Sequence, residues 1–128
     1  MRVMKLKTVQ KIVKEVLPKI EEFYGMSKYY DDTPYIIYDH SIYDTRVPKK
    51  TSEENTMGEF VFEDNEIVIY YPQMKSRKDI VQTLVHEYQH YLQSPRWFTR
   101  YYNMGYNYND HPYEVQAFAE EKNYKLFV

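Results

Sequence analysis

The chain has 128 residues and a mass of 15.8 kDa, enough for one domain with a modest core and little room for a second. Its 17 basic and 19 acidic side chains leave a net charge of -2 and a pI near 6.1, which excludes a general basic field for nucleic acid. With no cysteine, a disulfide scaffold, a thiolate metal cluster and a cysteine nucleophile are excluded as well.

Met1 to Val16 interleaves Arg2, Lys5, Lys7, Lys11 and Lys14 with apolar residues. It lacks the unbroken apolar segment and small-residue cleavage site of a secretory signal. No uncharged run approaches the roughly 20 apolar residues of a membrane helix. The expectation is a soluble cytoplasmic chain with no membrane partner, release by another route being left open.

Val9, Ile12, Val13, Val16, Leu17, Ile20 and Phe23 recur at three- and four-residue steps, which predicts an N-terminal helix packed on the core. Pro18 should kink or restart it, and Gly25 should stop it. Pro34 to Asp39 reads as a first strand, and His40 to Met57 as a polar loop. Gly58 to Asp64 and Glu66 to Tyr71 form two strand-like runs around Asp64-Asn65, a hairpin signal.

Ser76 can cap the next helix, with Asp79 in its first turn. Its stripe, Ile80, Val81, Leu84, Val85, Tyr88 and Leu92, carries it to Ser94-Pro95. Arg96 to Asp110, rich in Tyr and Asn, reads as a loop with Trp97 and Phe98 as core anchors. A last helix opens near Pro112 and runs to about Tyr124. The fold class is α+β, a small antiparallel sheet of three strands packed with an N-terminal helix, a central helix and a C-terminal helix.

His86-Glu87-Tyr88-Gln89-His90 is an H-E-x-x-H pentad in the middle of the best-capped helix. Histidines four apart share a helical face, so both imidazoles can reach one zinc ion at about 2.0–2.1 Å. The glutamate between them is left to accept a proton from water activated by the metal and to deliver it to a leaving amine. The apolar stripe lies on a different face, which turns the histidines towards a cleft.

A tetrahedral catalytic site needs a third protein ligand and one open position. Asp110, Glu114, Glu120, Glu121 and His111 are the candidates after the pentad. Glu114 is favoured. It falls on the first turn of the last helix, whose Cα–Cβ bonds tilt back towards the helix start. Ala117, one of only two alanines, would let that helix approach closely. Glu114 is also a residue type that the positive end of a helix attracts for stability alone.

HEYQH on one helix, with HPYEVQA carrying a glutamate on the following one, resembles the gluzincin metallopeptidases. The single-domain size and element order resemble their smallest members, the minigluzincins, over about residues 58–124. The resemblance implies one zinc per chain on His86, His90 and Glu114, Glu87 as the base, and a peptide or protein substrate lying extended along the sheet edge. The chain departs from the family at Phe118, where many gluzincins place an aspartate that orients a histidine ligand. Asp79, Asn109 or a backbone carbonyl is expected to substitute.

Tyr106, Tyr108, Arg100 and His111 lie between or beside the two ligand helices in sequence and are candidates for stabilising an oxyanion or contacting substrate. A zinc-dependent peptidase is therefore expected. The alternative is a zinc-stabilised, non-catalytic binding module of phage- or toxin-accessory type, which would have no use for Glu87. A third possibility is a peptide- or carbohydrate-binding domain with exposed tyrosines and an accidental pentad.

Overall fold

A computed structural model describes residues 4–40 and 57–128. Helix α1 (Leu6–Tyr24) buries Val9, Ile12, Val13, Val16 and Ile20, the stripe expected from the spacing. It runs unbroken through Pro18. Pro18 and Lys14, whose carbonyl the proline leaves without its helical donor, are both exposed, so water can serve that carbonyl. Gly25, at φ 82°, ends the helix with its N–H on the Glu21 carbonyl at 2.8 Å.

Strands β1 (Tyr35–Asp39), β2 (Gly58–Val61) and β3 (Glu66–Tyr70) form one sheet in the order β1-β3-β2. The α+β architecture with three strands is as expected, but the sheet is mixed. β2 and β3 are antiparallel, with Gly58 opposite Ile69 and Val61 opposite Glu66, whereas β1 lies parallel to β3, with Tyr35 opposite Glu66. The hairpin turns at Asn65, which adopts φ 53° and donates from its side chain to the Asp32 carbonyl at 3.1 Å. The Asn65 carbonyl in turn accepts from the Tyr35 N–H at 2.9 Å, which starts the parallel pair. The expected polar loop after His40 lies, from 41 to 56, outside the described residues.

Helix α2 (Arg77–Leu92) is the centre of the molecule. Ser76 caps it, accepting from the Asp79 N–H at 3.2 Å, while the Asp79 carboxylate returns to accept from the Lys75 N–H at 2.9 Å. Asp79 is thus committed to the helix start. One face of α2 buries Ile80, Val81, Leu84, Val85 and Tyr88 against α1 and the sheet. Tyr88 and Tyr91 spend their hydroxyls on the Gly25 and Asp32 carbonyls, so tyrosine is core material here, with its polar end satisfied.

The stretch after Ser94 is a helix, α3 (Pro95–Asn103), for most of its length. Ser94 is its cap, accepting from the Trp97 N–H, and Pro95 occupies its first turn. The same Ser-Pro pair that ends α2 therefore opens α3. Trp97 is 41% exposed and its ring meets that of Tyr101 at a tilt, so it is no core anchor; Phe98 is half-buried. Helix α4 (Pro112–Glu120) follows and passes directly into a 3-10 segment, Glu121–Leu126. Fully buried Ala117 lies on α4, which packs along α2. Among the described residues no helix is long and apolar enough to cross a membrane.

Candidate metal centre

The face of α2 turned from the core is closed over by α4 and the C-terminal segment, and the pentad lies beneath them. His86, Glu87, His90 and Glu114 are all between 4% and 7% exposed. One ligand atom from each of His86, Glu87 and His90 lies within 4.8 Å of the others, a buried group able to hold a metal ion. Glu114 approaches it from α4. Its Oε1 is 3.0 Å from His86 Nε2 and 3.0 Å from His90 Nε2. That convergence on both imidazoles makes Glu114, rather than Glu87, the carboxylate placed to complete the donor set.

Hydrogen-bond polarity sharpens this. His86 Nδ1 is 2.7 Å from Glu121 Oε2, a carboxylate that only accepts when ionised. His90 Nδ1 is 2.7 Å from Gln93 Oε1. The Gln93 amide nitrogen is occupied elsewhere, donating to the Tyr113 carbonyl and Gln116 Oε1, which leaves its oxygen for His90. Both Nδ1 atoms are therefore donors, and in the neutral rings both Nε2 atoms carry lone pairs. Two lone pairs and a carboxylate oxygen cannot face one another without a positive charge among them.

Protons can supply that charge. Burial lowers the His86 pKa, but the bonds to Glu114 and Glu121 outweigh it and hold the ring up at about 10, against an ordinary 6.5. Burial raises Glu114, but the two imidazoles outweigh it and bring the carboxyl down to about 2. A divalent cation is the other solution. Donors at about 2.0–2.1 Å around a tetrahedral zinc stand about 3.3 Å apart, close to the spacing found here. The donor set fits such an ion.

Comparison with models of protein families, with curated proteins and with solved structures found no match. The gluzincin resemblance therefore rests on the motif and its surroundings.

Glu87 projects beside the centre, and burial raises its carboxyl pKa, with His86 and His90 pulling against that. No protein group hydrogen-bonds it among the described residues, in contrast to the pinned side chains around it. Backbone approaches closely: a Cβ added at Gly58 would lie 3.6 Å from Glu87 Cγ. Glycine is needed there, because that Cβ would also meet Thr83 Cγ2 at 2.7 Å and the Val68 carbonyl at 2.9 Å.

Of the candidates for substrate contact, Tyr108 borders the centre. Partial burial raises its phenol, and the charges of Glu114, Glu87 and Glu121 raise it further. Its half-exposed ring meets that of Phe118, which stands edge-on to His86 with centroids 4.6 Å apart. Tyr102 also feels Glu114. The other three are employed elsewhere. His111 is fully buried as the cap of α4, Nδ1 accepting from the Tyr113 N–H and Nε2 donating to the Phe98 carbonyl, so neither nitrogen is free for an oxyanion. Arg100 lies over the Trp97 ring at 4.9 Å on exposed α3. Tyr106 is exposed and packs on Tyr101.

Glu121, a candidate third ligand by sequence, meets His86 at Nδ1 instead, and Gln93 is a partner of His90 that the sequence does not single out. Gln93 carried a findable signal, since it stands three residues after His90, one helical turn on. Glu121 occupies the place that Asp79 or Asn109 was expected to fill; Asp79 caps α2, and Asn109 is exposed.

Proposed function

We propose that the chain is a zinc-dependent peptidase of gluzincin type, with the ion held by His86, His90 and Glu114. The observation that carries this is the approach of Glu114 Oε1 to within 3.0 Å of both His86 Nε2 and His90 Nε2, with Glu87 buried beside them. Three nitrogen and oxygen donors suit zinc and leave one position of a tetrahedron for water or substrate. When bound, the ion supplies Lewis acidity, polarising a carbonyl and making water more acidic.

The remaining steps belong to the chain. Glu87 takes the proton of the attacking water and returns it to the amine that leaves. Among the described residues no protein group hydrogen-bonds Glu87, which lets the carboxylate turn between those positions. The Tyr108 hydroxyl stands at the border, where it can donate to the oxygen on which charge develops. Strand β2 is the edge strand beside Glu87, and an extended peptide adding to that edge would bring its backbone over the base.

The burial of all four central side chains also supports a second reading, a module that uses zinc for stability and turns over nothing. Turnover separates the two. Zinc-loaded protein should cleave an unstructured substrate such as casein, and a chelator should abolish cleavage. Zinc uptake without any turnover would favour the non-catalytic module, and failure to take up zinc would remove both.

A further inference from the structure

We propose that Glu121 is the positioning residue for His86, and that the C-terminal segment carrying it is held in place by a latch to α1 through Tyr24. The inference rests on the metal-centre reading and deepens it. At position 118, a side chain on α4 over His86, the chain carries a phenylalanine whose ring can pack on the imidazole but cannot accept its proton. Glu121 lies three residues further, where α4 has given way to the 3-10 segment, and its carboxylate reaches His86 Nδ1 at 2.7 Å. The imidazole is thereby held from three sides: Glu121 at Nδ1, Glu114 at Nε2, and Phe118 against the ring.

The neighbouring glutamate faces the other way. Glu120 Oε1 accepts from the Tyr24 hydroxyl of α1 at 2.8 Å and from Asn123 Nδ2 at 2.9 Å, and Asn123 also donates to the Tyr24 oxygen at 3.3 Å. Phe127 seals the same end, buried against Phe23 and Tyr24. Two successive acidic residues thus bracket the segment, one tied to α1 and the other to α2. A carboxylate on Nδ1 fixes the proton there, keeps the Nε2 lone pair towards the ion and makes the ligand more basic. Loss of such a partner typically costs 10–100-fold in metal affinity.

The test is the zinc dissociation constant of the full chain, by competition with a chromophoric chelator, beside the melting temperature of the zinc-free protein. Glu121→Ala should bind zinc about 10–100-fold more weakly. Glu121→Gln, which keeps an acceptor but loses the charge, should fall between it and the wild type. Tyr24→Phe, which breaks the latch and leaves the site intact, should give a smaller loss. In zinc-loaded protein labelled with 15N-histidine, the His86 Nδ1 proton should be downfield and slow to exchange, and this signal should vanish in Glu121→Ala. A purely structural Glu121 would change melting without moving that proton.

Wild-type affinity and an unchanged Nδ1 proton in Glu121→Ala would overturn the positioning role. If that variant does not fold, the same result in the isosteric Glu121→Gln overturns it. Unchanged affinity in Tyr24→Phe overturns the latch. Zinc binding by the wild type with all variants equal would sink this inference alone, whereas a wild type that takes up no zinc sinks the metal centre with it.

Discussion

At the scale of single residues, Glu87 and Glu114 are two buried glutamates whose surroundings separate them. Glu114 meets two imidazoles, which hold its carboxyl near the bottom of the carboxylate range, at about 2. Glu87 has no such bonds and is raised by burial. Glu114 is held ionised beside the imidazoles, whereas Glu87 keeps a proton more readily than an ordinary carboxyl. Glu87→Gln should therefore leave zinc content and fold unchanged while hydrolysis falls by about 10²–10⁴-fold, the usual cost of losing a general base. Casein cleavage at matched zinc loading measures this, and full activity would exclude Glu87 as the base. Glu114→Ala should instead lose the metal, because it removes the one oxygen in contact with both Nε2 atoms. Metal analysis after gel filtration should find about one zinc in the wild type and little in the variant.

At the scale of elements, what the sequence could reveal depended on whether the signal was local. α1 and α2 advertise themselves through apolar stripes and caps, and His86, Glu87 and His90 share one turn of α2, so their meeting follows from helical spacing alone. Glu114 was reachable because a helix start and a small residue one turn on constrain where its side chain points. The direction of β1 was not legible, since the alternation in Tyr35–Asp39 is the same for either pairing and the Tyr35–Asn65 bond that starts the parallel register is non-local. α3 was hidden because Ser94-Pro95 serves as a stop for one helix and a cap with first-turn proline for the next. Glu121 was hidden by a change from α to 3-10 geometry that no periodicity announces. The contact between strand and helix is testable at Gly58. Gly58→Ala would press on Thr83 and on the rigid Val68 carbonyl, a conflict of the kind that costs about 1–3 kcal/mol. Adding Thr83→Ala should relieve only part of it, since the carbonyl stays. Denaturant unfolding of the single and double variants gives the comparison, and complete rescue would show that the backbone contact does not matter.

At the scale of the whole molecule, a small chain with no disulfide has placed a charged cluster in its interior, so its stability must depend on what neutralises that cluster. In zinc-free protein the dependence follows from two opposed shifts. His86 in the fold sits near 10 against an ordinary 6.5, so its stabilising contribution is complete below about pH 6.5 and is lost as pH rises towards 10. His90 is raised by the same Glu114 bond despite burial and deepens that alkaline loss, whereas Glu87, raised by burial from an ordinary 4.5, costs stability from about pH 4.5 upward. Glu114 sits near 2 against an ordinary 4.5, so its contribution is complete above about pH 4.5 and is lost as pH falls towards 2. The zinc-free protein should thus melt highest near pH 4.5 and lower on either side, the fall steepening above about pH 6.5. On the proposed reading zinc would replace the protons on the two Nε2 atoms and compete better as protons become scarce, so its stabilisation would grow with pH. Melting curves recorded from pH 5 to 9, with chelator and with excess zinc, should therefore nearly coincide at the acid end and separate progressively above about pH 6.5. Parallel curves, or a zinc-free melting temperature flat across that range, would mean that His86, His90 and Glu114 do not share the charge that the geometry assigns them.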